Sequence, residues 1–415
     1  MSDDSAPNEM EPPVEPNGTD EDGVVHPRQA ELQVSQPMIF RLVPALDSLR
    51  QYSLHTFRCD MVAGLTVAAV AVPQAMAYAT IAGIPVKYGL YTAMVMTAVG
   101  ALFDSSKQLI NGPTNAISIA LLSALSVFAE DDKVAMAVLM ALLVGLIQTG
   151  ITLLRLGDLS RYISHAVIVG FTAGAGVLLV LDQLKNLLGF TAEGDSDDHF
   201  LKRFWLTMTS GGPVHGWTLA LGLGTVALVL GLRWLNGRFR LRTPEFLVAV
   251  IAAATLVWAC DLSKVKENGV VVQPGVDVVG ELPRALPSFS PPSGKWSQIR
   301  QLSGSALAIA LLGLLEAIAM AKAIAGRTGQ RLDINQQCLS EGLANLSGSF
   351  FQCFPGSGSL TRSAINHQSG AVSQWSGVFS ALAVAATVLL FAPLARYIPR
   401  AALAGILIVS AWRMV

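Results

Sequence analysis

Charge is what this chain has least of. Only 14% of its 415 residues are Asp, Glu, Lys or Arg, and the mean hydropathy is +0.51, a balance that excludes an ordinary soluble enzyme. The net charge of −1 provides no basic field, so no nucleic-acid partner is implied. The four cysteines, Cys59, Cys260, Cys338 and Cys353, stand far apart without metal-ligand spacing, and each reads as a small apolar filler. No motif calls for a cofactor. A catalytic serine fails a simple check: Ser359 and His367 are about 12 Å apart along one helix. Ser363 can reach His367, but no acidic residue is near to orient the imidazole. Residues 1–36 are rich in Asp, Glu, Pro, Gly and Asn, which predicts a disordered acidic tail where a cleavable signal would stand.

Long apolar runs are abundant. Runs of about 20 residues suit a hydrocarbon core about 30 Å thick. The sequence places them at 61–82, 89–104, 112–129, 133–154, 162–188, 215–235, 244–261, 305–325, 337–353, 355–370, 372–395 and 400–415. They do not alternate, so they predict helices, not a barrel. The expected organisation is a tail over 1–36, an interfacial segment over 37–60, a first repeat over 61–262, an extracytoplasmic loop over 263–304 and an incomplete second repeat over 305–415. Arg50, Arg58, Arg155, Arg161, Arg233, Arg238, Arg240, Arg242, Lys322, Arg327 and Arg331 fall on one side if the N-terminus is cytoplasmic. That orientation follows the positive-inside rule, with Arg396 and Arg400 dissenting.

Two apolar stretches are broken by proline and glycine, Asn111–Ser118 and Phe354–Arg362. Pro113 and Pro355 are 242 residues apart, and Ala75-Met-Ala-Tyr-Ala79 echoes Ala319-Met-Ala-Lys-Ala323 at 244. Paired interruptions at one offset are the mark of a repeated transporter fold with its site between the repeats. Gly112-Pro113 predicts a helix start near Thr114, and Pro355-Gly-Ser-Gly358 one near Ser359. A helix from Thr114 to Phe128 is about 22 Å long, too short to cross alone. Two such N-termini meeting at mid-membrane would present free N–H groups and positive dipole ends to an anion. The bland alternative is a pair of proline kinks repaired by neighbouring helices.

Ionisable groups inside spans mark function by default. Glu316 lies within the apolar run Ala306–Ala325, and Arg362 lies one turn into the short tenth helix. Arg362 is the candidate counter-charge for an anion, and Glu316 a proton or cation site; a structural ion pair between the two is the competing reading. Gln74 and Tyr78 share a face of the first span and are candidate substrate contacts, or else satisfied polar core residues. Gly170, Gly174 and Gly176 read as small-residue helix packing, and Asp182 with Lys185 as an interfacial pair.

Phe57-Arg-Cys-Asp-Met-Val-Ala-Gly-Leu-Thr66, Val72-Pro-Gln-Ala-Met-Ala-Tyr-Ala79, Tyr88-Gly-Leu-Tyr91, Ile163–Phe171, Gln183-Leu-Lys185 with Gly189, and Gly356–Ser363 together resemble blocks of the SulP anion-transporter family, also called solute carrier family 26. The resemblance covers about residues 40–415. It implies an all-α polytopic fold, a seven-plus-seven inverted repeat with core and gate domains, working as a secondary transporter by elevator-like movement. It implies a substrate site at Gln74, Tyr78, Ala116 to Ser118 and Ser359 to Arg362, including Leu360, with Glu316 as the proton-coupling position. Sulfate, bicarbonate, chloride and dicarboxylates are the implied substrate class, membrane lipid the surroundings, and a homodimer the full-length assembly. An enzyme is not implied. By the family pattern two more spans and a cytoplasmic STAS domain follow the twelfth span, near which this sequence stops.

Overall fold

The computed structural model describes residues 38–50, 52–154, 165–191, 193, 200–239, 244–263, 265–267, 270–273, 275–280 and 282–411. The expected 1–36 tail lies outside them, as do Arg155, Arg161, Arg240 and Arg242 of the orientation pattern. The short helix α1 spans Met38–Leu42, and one compact unit runs from Leu42 onward. After α2 (Pro44–Leu49), Ser53 caps α3 (Leu54–Ile81) by accepting from the Thr56 N–H. Pro73 lies inside α3 and withholds a ladder donor from the Ala69 carbonyl. α4 (Val86–Phe103), α5 (Asn115–Leu125), α6 (Lys133–Leu153), α7 (His165–Leu188), α8 (Phe200–Ser210), α9 (Gly216–Phe239) and α10 (Glu245–Ala259) follow. The second series comprises α11 (Trp296–Thr328), α12 (Ile334–Phe350), α13 (Leu360–Gln368), α14 (Trp375–Phe391) and α15 (Arg400–Ala411). The strands β1 (Asn111–Gly112), β2 (Val265–Glu267), β3 (Val270–Gln273) and β4 (Ser357–Gly358) are short. Among the described residues, six helices are long and apolar enough to cross a membrane.

The order α3, α4, β1, α5, α6 recurs as α11, α12, β4, α13, α14. α3 and α11 begin 242 residues apart, as do α6 and α14. Packing is reciprocal: α6 lies on α11 and α12, while α14 lies on α3 and α4. Each repeat thus clamps the first two helices of the other, which is what a two-fold relation between inverted repeats demands. Close approach across α6 and α12 depends on glycine at both surfaces. A Cβ on Gly145 would strike the backbone of Leu346, and one on Gly342 would strike Thr149. α15 packs on α7 and α9, and α10 on α9 and α3, forming a second group of helices beside the first.

Several boundaries depart from the sequence expectation. α3 begins at Leu54, within the segment expected to lie at the interface, and α11 begins at Trp296, within the expected 263–304 loop. Both extensions mix polar with apolar residues, which lowers the mean apolarity without breaking the helix. α8 was not expected, because its run Phe200–Ser210 mixes Lys and Arg with apolar residues. Gly170 and Gly174 face open space and do not pack against a neighbouring helix. The cysteines are free, and Asp182 pairs with Lys185 at 2.8 Å.

Candidate anion site

The two broken stretches meet. β1 and β4 pair antiparallel, Asn111 against Gly358 and Gly112 against Ser357. The Ser359 N–H donates to the Ile110 carbonyl at 2.9 Å, and the Ile110 N–H donates to Ser363 Oγ at 2.9 Å. Around this crossing, side chains satisfy backbone that no helix can. Thr97 Oγ1 donates to the Asn111 carbonyl at 2.6 Å. Asn345 brackets Gly356, donating to its carbonyl at 3.1 Å and accepting from its N–H at 3.0 Å. Ser357 Oγ donates to the Gly313 carbonyl at 2.8 Å. Unwound backbone at membrane depth survives only when protein groups satisfy it in this way. Ser363 therefore serves as a structural acceptor at the crossing.

From this crossing α5 and α13 depart. Their N-caps are Thr114 and Ser359, where the Pro and Gly signals place them. α5 is 11 residues long and α13 only 9. Neither can cross alone, so both N-termini end inside the protein. Ser359 spends its side chain on capping, accepting from the Arg362 N–H. Thr114 does not; its hydroxyl donates to Glu316 Oε2 at 2.9 Å. The N–H groups of the two serines in the implied site are already used, that of Ser118 by the Thr114 carbonyl and that of Ser359 by the Ile110 carbonyl. A helix bonds its N–H groups only from the fourth residue on, so the free donors belong to Ala116, Ile117, Leu360 and Thr361. Ser118 is fully buried with its hydroxyl returned to the Thr114 carbonyl, so its side chain offers nothing further.

Arg362 is fully buried, the largest such side chain among the described residues. Its Nη2 donates to the Pro113 carbonyl at 2.9 Å, while Nε and Nη1 have no partner. The guanidinium lies against Gly112, whose φ of 143° suits glycine and whose missing Cβ would stand 2.9 Å from Nη1. Among the described residues no ion pair within 4 Å joins Arg362 to Glu316, so the structural-pair reading fails. Glu316, half-buried, accepts from Thr114, and Arg362 donates to the carbonyl of the adjacent Pro113, so neighbouring residues at the start of α5 hold both; Tyr78 is buried on α3. Gln74, one turn before Tyr78 on α3, is fully buried with both amide atoms unpartnered. Buried polar atoms without partners are rare in finished proteins and are explained by a ligand or water they await. Ala116 is buried at the mouth of α5, and Leu360 is half-buried at the start of α13. The sequence reading missed Thr114 as the partner of Glu316 and Asn345 as the clamp on Gly356. Thr114 carried a signal, standing directly after Gly-Pro at the helix start.

The profile of the sulfate permease family matches residues 57–415. The chain is 33% identical over 371 residues to the chloroplastic sulfate transporter 4.1 of Arabidopsis thaliana, covering 88% of this chain and 53% of that protein. Among solved structures it resembles murine solute carrier 26 family member A9, an anion transporter captured inward-facing, with a TM-score of 0.80 at 23% identity, covering 92% and 64% of the two chains. It also resembles the transmembrane domain of the cyanobacterial bicarbonate transporter BicA, with a TM-score of 0.75 at 24% identity, covering 88% and 90%. The chain spans about half the length of the first curated relatives it matches.

Proposed function

This chain belongs to the sulfate permease family, and from that premise we propose that it carries out secondary active transport of a small anion of the sulfate, bicarbonate, chloride or dicarboxylate class. The observation that carries the reading is the fully buried Arg362, two of whose nitrogens lack partners, beside two helix N-termini that converge through β1 and β4. A permanent cation and two positive dipole ends at one point favour negative charge. Gln74, Tyr78, Ala116, Ser118, Ser359, Leu360 and Arg362 form the proposed site; the Ala116 and Leu360 amides and the Arg362 guanidinium supply the donors. Ser118 and Ser359 act through the backbone they fix. No catalytic chemistry is needed, since the site binds and releases an unchanged ion.

Coupling is assigned to Glu316. It accepts a hydrogen bond from Thr114 at the α5 cap and is half-buried, not sealed, which would let it exchange a proton with the space that would hold the anion. Neutralising it removes a negative charge from beside the anion, which links the two fluxes. The group α3 to α6 with α11 to α14 would carry the site past α7, α9, α10 and α15 in an elevator movement, in a homodimer with a cytoplasmic N-terminus. Radiolabelled anion uptake into proteoliposomes under pH and sodium gradients tests this. Saturable, acid-driven uptake supports it, whereas linear uncoupled flux means a channel and no flux a scaffold. Glu316→Gln is expected to keep anion exchange and lose stimulation by an inward proton gradient. Undiminished acid-driven accumulation in that variant would remove Glu316 from coupling.

A further inference from the structure

The anion site uses one face of α3, and the opposite face borders a cavity that the proposed function leaves unused. With about 3.6 residues per turn, Pro73 and Met76 point away from Gln74 and Tyr78. The cavity holds about 510 Å³, within the range of about 300–1,000 Å³ for ligand sites. Pro73 and Met76 of α3, Leu90 of α4 and Val388 of α14 line one side, and Val250 of α10 the other. No charged side chain lines it. Its three hydroxyls are spent elsewhere. Thr255 donates to the Ile251 carbonyl at 2.8 Å, Thr387 donates to the Ala383 carbonyl at 2.8 Å, and Tyr397 accepts from Arg396 Nη2 at 2.7 Å. Such an interior rejects an anion and suits hydrocarbon.

Its position matches one leaflet of a bilayer. α3 and α14 start together, because Asp60 near the start of α3 accepts from the Val372 and Ser373 N–H groups just before α14. The cavity borders the other end of α14, at Thr387, Phe391 and the 392–397 turn. α10 lines it from Leu247 to Trp258, eleven residues or about 16 Å of helix, against about 15 Å for half a hydrocarbon core. Trp258 and Tyr397 stand at the same end, since Val276 bonds Leu262 after α10 and Val278 bridges Pro399 after the turn. Such aromatics mark the membrane–water boundary. Ile251, Trp258, Phe391 and Leu394 are 55–62% exposed, so the cavity opens sideways onto an apolar surface. At the aromatic end the exposed Arg396 holds its guanidinium 4.7 Å from the Tyr397 ring centre. Arg396 is one of the two cations that dissent from the charge pattern, and no ion pair among the described residues engages it. We propose that this cavity binds an acyl chain of an anionic phospholipid whose phosphate rests on Arg396. A cation at one end and a leaflet's depth of hydrocarbon surface along the rest fit that ligand, which would bridge α10 to α3, α4 and α14.

The test uses the full chain in nanodiscs of phosphatidylglycerol with brominated acyl chains. Electron microscopy of the wild-type protein should show bromine scattering inside the cavity and a phosphate beside Arg396. An empty cavity, a chain lying only along the outer face of α10, or a protein segment in the cavity overturns the inference. Native mass spectrometry then compares retention of phosphatidylglycerol with that of phosphatidylcholine bearing the same chains. Arg396→Gln should lower phosphatidylglycerol retention about fivefold, to the level of phosphatidylcholine. Ala254→Trp fills the cavity and should lower retention of both lipids at least about tenfold, the worth of two buried CH₂ groups. Ala252→Trp, on the exposed face of the same helix, should keep wild-type retention. Equal retention of the two lipids by the wild-type protein, or wild-type retention in a folded Ala254→Trp, also overturns the inference. If Ala254→Trp does not fold, the wild-type structure decides by itself.

Discussion

Replacing Arg362 with Gln removes the charge while keeping a side chain of similar reach, and the structure predicts opposite effects on binding and on stability. In the anion-free protein the guanidinium is fully buried with only the Pro113 carbonyl as partner. Losing that bond costs about 1–3 kcal/mol, but removing a buried cation that lacks two partners recovers a comparable desolvation cost. The anion-free melting temperature should therefore stay level or rise. Binding should suffer, because charge-assisted hydrogen bonds from Nε and Nη1 are worth about 2–3 kcal/mol together, or about 30- to 150-fold in Kd. A sulfate concentration about 100 times the wild-type Kd stabilises the wild-type protein by about 2.7 kcal/mol. The same concentration stabilises the variant by only about 0.3–0.9 kcal/mol. Thermal shift of the detergent-purified proteins with and without sulfate reads both numbers, and calorimetric titration checks the affinity. Equal sulfate-induced shifts in the two proteins would refute the counter-charge role, and a collapse of the anion-free melting temperature would make Arg362 a structural residue.

Gly112→Ala should cost about 1–3 kcal/mol through its φ of 143° and weaken anion binding by displacing the guanidinium 2.9 Å away; a melting curve with a binding titration shows whether both fall. Ala116→Phe places bulk at the mouth of α5 and should abolish binding at a near-normal melting temperature, so retained affinity would move the anion elsewhere. Asp60→Ala leaves the Val372 and Ser373 N–H groups, the Ser373 hydroxyl and the Tyr52 hydroxyl without their acceptor, and should cost about 3–5 kcal/mol by thermal unfolding.

The broken stretches were legible because proline and glycine act locally: Pro113 and Pro355 fix where α5 and α13 start, to the residue at Thr114 and Ser359. Burial of Arg362 and the face shared by Gln74 and Tyr78 followed from composition and helical period. What the sequence could not supply were contacts between repeats more than 200 residues apart. The pairing of β1 with β4, the Thr114–Glu316 bond and the clamp of Asn345 on Gly356 each depend on how the repeats interlock. Ser118 shows the same limit in reverse. Its place in the first turn of α5 suggested a free donor, yet its N–H lies one position too far along and bonds Thr114. The starts of α3 and α11 were placed late because Leu54–Asp60 and Trp296–Gly304 mix polar with apolar residues, and hydropathy registers only the apolar stretch that follows.

The central claim is that an anion sits where the N-termini of α5 and α13 converge on Arg362. A structure of the protein with selenate, a heavier analogue of sulfate, locates the ion by its anomalous scattering. The account predicts a peak within hydrogen-bond reach of Arg362 Nε or Nη1 and of the Ala116 and Leu360 amides. A selenate peak elsewhere in the protein, with this space empty under saturating conditions, would contradict it.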